Sequence, residues 1–186
     1  MSSSIPEAVA RDPLHTRQVE VRGYRRHDGN YDIEGTLIDK KSTVFENMDR
    51  GLLKPGEPIH EMWIRLTVDV DLRVLDVEAR NIWGPYNICG DIVPNFKRLV
   101  GCSIAKGWRK KVAELLGGVQ GCTHMVELLG PIATTAFQTT YHDRVHRDRA
   151  SGLEERPALI GSCHAYASDS IVVKKRHPKY YTGSDL

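Results

Sequence analysis

The chain has 186 residues, 40% of them hydrophobic and 27% charged, which is the composition of a globular domain and excludes a disordered or collagen-like chain. Twenty-six Lys+Arg against 24 Asp+Glu leave a formal charge of +2, which excludes a strongly basic nucleic-acid binder as a description of the whole chain. No apolar run approaches the ~18 residues of a membrane-spanning helix.

The N-terminal segment lacks a basic region followed by an apolar one, so it does not read as a secretory signal. Residues 1–15 are expected to form a flexible arm, 16–173 a single α+β domain and 174–186 a basic, solvated tail. The cysteines at 89, 102, 122 and 163 form no Cys-x-x-Cys pair, so neither a structural zinc site nor, without an export signal, a disulfide framework is expected. Each cysteine reads in the first place as a small buried apolar residue.

Taken in chain order, Val19 and Val21 alternate with polar residues, Asp28-Gly29 signals a turn, and Tyr31, Ile33, Gly35 and Leu37 continue the period-two pattern. This predicts a hairpin over 16–40. Residues 41–58 hold Gly51, Pro55, Gly56 and Pro58 and read as a loop with at most one helical turn. His60, Met62, Ile64, Leu66, Val68 and Val70 then alternate as one face of a strand, and Leu75, Val77 and Ala79 as one face of the next. The second half changes to a spacing of three to four. Ile92 to Leu115 reads as helix starting near Pro94 and broken at Gly101 and Gly107, and a second helix is predicted over 121–142. The charged stretch 143–158 reads as an exposed loop, and 159–173 as a short strand or irregular cover. Strands first and helices second give an α+β two-layer fold, an antiparallel sheet of about four strands covered on one face by two or three helices.

At 100° per residue, His124, Glu127, Pro131, Thr135, Gln138 and His142 fall within about a 60° sector of the second helix. The sector holds no Lys or Arg. It reads either as a half-exposed face or as the wall of a pocket. His60 shares the parity of Met62 and Ile64 and so points from the sheet toward the helical layer. His60, His124 and Glu127 are therefore candidate catalytic residues, as a general acid–base set or, with Cys122, as ligands for one transition metal (zinc, iron or manganese). Sequence spacing does not choose between proton transfer and metal. The hairpin tip supplies candidate substrate-binding residues, Arg25, Arg26 and Tyr31, with Gln138 from the helix, and it reads equally as a solvated turn. No Gly-rich phosphate loop, dinucleotide fingerprint or Gly-x-Ser-x-Gly elbow is present, so no nucleotide cofactor is expected.

The string Gly121-Cys122-Thr123-His124-Met125-Val126-Glu127-Leu128-Leu129, with Arg25-Arg26-His27-Asp28-Gly29, Tyr31-Asp32-Ile33-Glu34, Pro58-Ile59-His60-Glu61-Met62 and Cys163-His164-Ala165, resembles the uncharacterised bacterial proteins catalogued as domain of unknown function 2889. The resemblance spans about residues 17–170 and implies a cytoplasmic bacterial protein, with a tilt toward catabolism of small, aromatic compounds. Ile88-Cys89-Gly90-Asp91 is similar to the first cysteine motif of iron–sulfur scaffold proteins, although the later cysteine spacings differ. The expected function is a small cytoplasmic enzyme, a lyase, isomerase or hydrolase, acting on a small-molecule ligand. The alternatives are a metal or iron–sulfur carrier using Cys89, Cys122, His124 and Cys163, and a non-catalytic binding subunit. No nucleic-acid or membrane partner is expected, and homo-oligomerisation is left open.

Overall fold

Alternation of apolar and polar residues governs the first half of the chain, and the computed structural model, which describes residues 8–105, 107–152 and 157–184, turns it into strands. Strands β1 (His15–Arg25), β2 (Tyr31–Lys41), β5 (Pro58–Val68) and β6 (Val74–Trp83) form one antiparallel sheet in the order β1-β2-β5-β6. In β2 the residues Tyr31, Ile33, Gly35 and Leu37 are buried while their neighbours are half-buried, and Met62, Ile64, Leu66 and Val68 repeat this in β5. One face of the sheet thus carries the core. The opposite face is polar, with the Arg65 guanidinium held between Glu34 and Glu78.

The expected loop over 41–58 instead contains a small hairpin, β3 (Phe45–Asn47) with β4 (Gly51–Leu53). Its turn is made by Asn47, whose buried side-chain oxygen accepts the N–H groups of Asp49 and Arg50 at 3.1 and 2.9 Å. Gly and Pro density hid these three-residue strands.

Helical cover begins with a 3-10 stretch, Val93–Leu99, which buries Phe96 and Leu99. Helix α1 (Trp108–Leu116) follows Gly107 and buries Trp108, Val112 and Leu116. Helix α2 (Thr123–Ala150) buries Met125, Leu128, Leu129, Ile132 and Ala136 against the same core. Each buried Val, Leu, Ile, Phe or Met side chain among them stabilises the fold by ~1.5–3 kcal/mol. Helix α2 runs eight residues beyond the predicted end at 142, because the charged run after His142 holds no Gly or Pro before Gly152 and remains compatible with helix. The fold is therefore α+β, a four-stranded antiparallel sheet with helices on one face and a separate two-stranded sheet.

Two glycines let α2 lie close against β1 and β2. A Cβ on Gly35 would sit 2.7 Å from Ile132 Cδ1, and one on Gly23 would sit 1.9 Å from Thr139 Oγ1. The helix runs antiparallel to β2 and is tied to it near both ends. Tyr31 and Arg25 both bond Asp143, while His124 reaches Asp39 at the other end. Eight residues of strand and nineteen of helix both span roughly 26–29 Å, so the two ties are in register.

The chain divides into two compact units, residues 1–144 and 145–186. The second unit holds the last residues of α2, a 3-10 turn at His164–Tyr166, helix α3 (Ile171–Arg176) and a 3-10 turn at Pro178–Tyr180. The segment 159–173, expected as strand or irregular cover, thus contributes the start of α3. Ser170 caps that helix, its hydroxyl accepting from Val173 N, and Lys174, Lys175 and Arg176 occupy its last turn, where cations favour the helix dipole. Residues 8–14 of the expected arm are exposed; 1–7, at the start of that arm, and 185–186, at the end of the expected basic tail, lie outside the described residues. Among the described residues no helix is long and apolar enough to cross a membrane.

Candidate functional site

The alternation that buries Leu37 continues by one step and carries Asp39 to the inner face, where it is 1% exposed. An isolated carboxylate there would be costly. Arg17, its cross-strand neighbour on β1, meets it in a two-pronged pair, with Nε to Oδ1 and Nη2 to Oδ2 both at 2.8 Å. Burial pushes the Asp39 carboxyl upward, but the hydrogen bonds and charge of Arg17 outweigh it and hold the pKa at about 2. His15 Nε2 adds a contact to Oδ1 at 3.4 Å.

On the other side of Asp39 its cross-strand partner is His60 of β5, with Nδ1 3.1 Å from Oδ2. Directly before His60 the β2–β5 register shifts: Lys40 faces Pro58, which leaves Ile59 as an extra, bulged residue. Arg50, carried by the β3–β4 hairpin, donates from Nη1 to the carbonyls of Pro58 at 2.8 Å and Ile59 at 3.4 Å. Its guanidinium also stacks over the Trp83 ring at 4.5 Å. The small hairpin thus secures the backbone from which His60 projects.

Helix α2 brings the last component. His124, in its first turn, stacks on His60 with ring centroids 3.8 Å apart and planes at 29°. Its Nε2 lies 3.7 Å from Asp39 Oδ2, and its Nδ1 lies 3.7 Å from Cys122 Sγ. Burial lowers the pKa of both imidazoles. His124 lowers that of His60 further and Arg17 that of His124, and Asp39 opposes the shift at both. Both rings are therefore held toward the neutral form beside an ionised carboxylate. Glu127 stays outside this cluster: it is 62% exposed at its side chain and accepts from Arg17 Nη1 at 2.6 Å.

Of the residues expected to form a site, His60 and His124 come together, and the carboxylate between them is Asp39. Glu127 joins at one remove, through Arg17. Cys122 sits on the Nδ1 side of His124, away from Asp39. Arg25, Arg26 and Tyr31 lie at the other end of β2, where Arg26 pairs with Asp28 and Asp32 while Arg25 and Tyr31 pair with Asp143. Gln138 is exposed on α2. The structure does not bring this substrate-binding set to the histidines. Asp39 and Arg17 were missed, although parity signals both: Asp39 continues Leu37, and Arg17 precedes Val19 and Val21.

Among the described residues one group of three metal-competent side chains converges, Asp39, His60 and His124, with one donor atom of each within 4.8 Å of the others. Two imidazoles and a carboxylate form a donor set for a divalent transition metal that leaves coordination positions open. Cys89, Cys102 and Cys163 are not part of it. One nitrogen of each ring, His60 Nδ1 and His124 Nε2, lies on the side of the same oxygen, Asp39 Oδ2. Comparison with curated proteins and with solved structures finds no match. The family model described as Protein of unknown function (DUF2889) matches residues 15–138, and the chain belongs to that family.

Proposed function

We propose that the protein is a small enzyme that moves a proton on a small organic substrate, in an isomerisation, a lyase cleavage or a hydrolysis. The observation that carries this reading is the Asp39–His60 pair. With Nδ1–H donating to Asp39, the His60 Nε2 lone pair is left as a base, and the buried carboxylate stabilises the imidazolium formed when that base takes a proton. Arg17 keeps Asp39 ionised, so the carboxylate orients the ring without competing for the proton. His124, stacked on His60 and itself shifted toward neutrality, is a second carrier for returning a proton at another atom. The near-neutral total charge suits a small-molecule ligand better than a nucleic acid. A cytoplasmic, catabolic setting belongs to this reading as an expectation.

The test is deuterium incorporation from D2O into a panel of enolisable keto, hydroxy and unsaturated acids, followed by proton NMR. The wild type is expected to exchange at least one panel member, and His60→Gln to lose that exchange by about a hundredfold or more while remaining folded. Exchange that survives His60→Gln, or is absent throughout the panel, removes the reading.

Convergence of the three donors favours a second reading, in which Asp39, His60 and His124 hold a divalent metal that activates water or substrate. Calorimetric titration with zinc and manganese separates the two. Stoichiometric binding lost in His124→Ala, with activity dependent on the metal, favours the second reading. Activity retained in the presence of chelator favours the first.

A further inference from the structure

Helices α1 and α2 leave between them a groove of about 540 Å3. Its floor is apolar, built from Trp108, Val112, Val126 and Leu129. The volume matches that of pockets for small organic ligands.

Two residues that weaken helices lie consecutively on this wall, Gly130 and Pro131, well inside the 28 residues of α2. Glycine in a helix interior costs about 1 kcal/mol relative to alanine. Packing does not require it at 130, because a Cβ there would meet nothing within 4 Å. This contrasts with Gly23 and Gly35, where a Cβ would collide with α2. The missing side chain at 130 keeps the groove open and its backbone accessible. Pro131 has no N–H, so the carbonyl of Glu127 lacks its helical donor four residues on, and both residues line the groove.

The opposite wall offers a cation. Arg109 lines the groove from the first turn of α1, and among the described residues it has no acidic partner. The α1 N-terminus adds partial positive charge on the same side. The Glu127 side chain that borders the groove is the one held by Arg17, which also pairs with Asp39.

We propose that this groove is the substrate-binding site, and that it takes a small organic acid with a flat apolar body of one or two rings. The ring system lies on Trp108, Val112, Val126 and Leu129, the carboxylate pairs with Arg109, and a donor on the ligand bonds the Glu127 carbonyl. Glu127, paired with Arg17, is then the link between the groove and the carboxylate–histidine cluster. This assignment rests on the proton-transfer reading for its chemistry but not for its binding.

The test uses 2-naphthoate and its neutral amide, 2-naphthamide, in calorimetric titrations of the full chain. The wild type is expected to bind 2-naphthoate saturably and the amide more weakly. Arg109→Gln should weaken naphthoate about tenfold or more and erase its advantage over the amide. Gly130→Leu, which fills open space, should weaken both probes by at least as much, while Gly130→Ala, a smaller addition, serves as the folding control. His60→Gln should bind 2-naphthoate as the wild type does. Absence of saturable naphthoate binding, or binding indifferent to both Arg109→Gln and Gly130→Leu, overturns the proposal. Naphthoate binding that follows the expected pattern, with no deuterium exchange on any substrate, retains the groove and removes the proton-transfer reading. Exchange kinetics whose KM ignores both groove substitutions retain that reading and remove the groove.

Discussion

Asp39 and His60 face each other across β2 and β5 as a cross-strand pair, Oδ2 to Nδ1 at 3.1 Å, and both are carried by strands of the main sheet. On the far side of Asp39 the next strand supplies Arg17, so a cation, an anion and an imidazole lie in a row across three adjacent strands. Side chains fixed by a sheet are held more tightly than side chains on mobile connections.

That row makes the two halves of the ion pair unequal. Arg17→Met leaves the buried Asp39 carboxylate without its main partner and is expected to cost about 3 kcal/mol or more. Asp39→Asn removes the buried charge, and Arg17 keeps Glu127 as a partner, so a smaller loss of about 1–2 kcal/mol is expected. Urea midpoints at unchanged slope measure both. Equal losses would mean that Asp39 is less dependent on Arg17 than its burial implies.

Stability should respond to acid in two separate windows. His60 and His124 titrate below their ordinary 6.5 in the folded chain, so as pH falls through 6.5 the unfolded chain takes up protons first and stability declines. Replacing both by Gln should flatten this window. Asp39 is lowered from 3.8 to about 2, so it contributes about 2 kcal/mol above pH 3.8, lost as pH falls through about 2. Asp39→Asn should abolish that lower step. Urea titrations at successive pH values test both.

Three glycines should respond to alanine in opposite senses. Gly23→Ala and Gly35→Ala force α2 off the sheet and should each cost about 1–3 kcal/mol. Gly130→Ala should gain about 0.5–1 kcal/mol from helix propensity. In a double-mutant cycle Thr139→Ala should recover part of the Gly23→Ala loss, because the collision is with that side chain.

Arg50 should matter to His60 without touching it. Arg50→Met leaves the carbonyls of Pro58 and Ile59 without its donor and removes its stack on Trp83, for an expected loss of about 1–2 kcal/mol. The nitrogen chemical shifts of the His60 ring should change with it, whereas the Tyr31–Asp143 end of the sheet should not. Unaltered His60 signals would show that the bulge holds its shape unaided.

Much of this was legible in the sequence because it depends on periodicity. The β1–β2 hairpin, the β5 and β6 strands, the inward direction of His60 and the helix bearing His124 all follow from spacing alone. The carboxylate did not, because helical spacing pairs Glu127 with His124 whatever lies beneath the helix, and only tertiary packing sends Glu127 to Arg17 instead. Asp39 was readable in principle as a charged residue on an apolar parity. The β3–β4 hairpin is too short to show a period, and the C-terminal part of α2 was hidden because dense charge resembles a loop in composition while remaining good helix in propensity.

The alternation of β2 has a consequence for how this protein can vary. Asp39 has no address of its own: it reaches the interior because it lies an even number of residues after Tyr31, Ile33, Gly35 and Leu37. Deleting or inserting one residue between Leu37 and Asp39 would turn the carboxylate toward the polar face while leaving the hydrophobic seam before it intact. The chain would still fold around its core, but with Arg17 and the two imidazoles facing a gap. Substitution can reach this site gradually, whereas a single change of length in that strand would remove it at once.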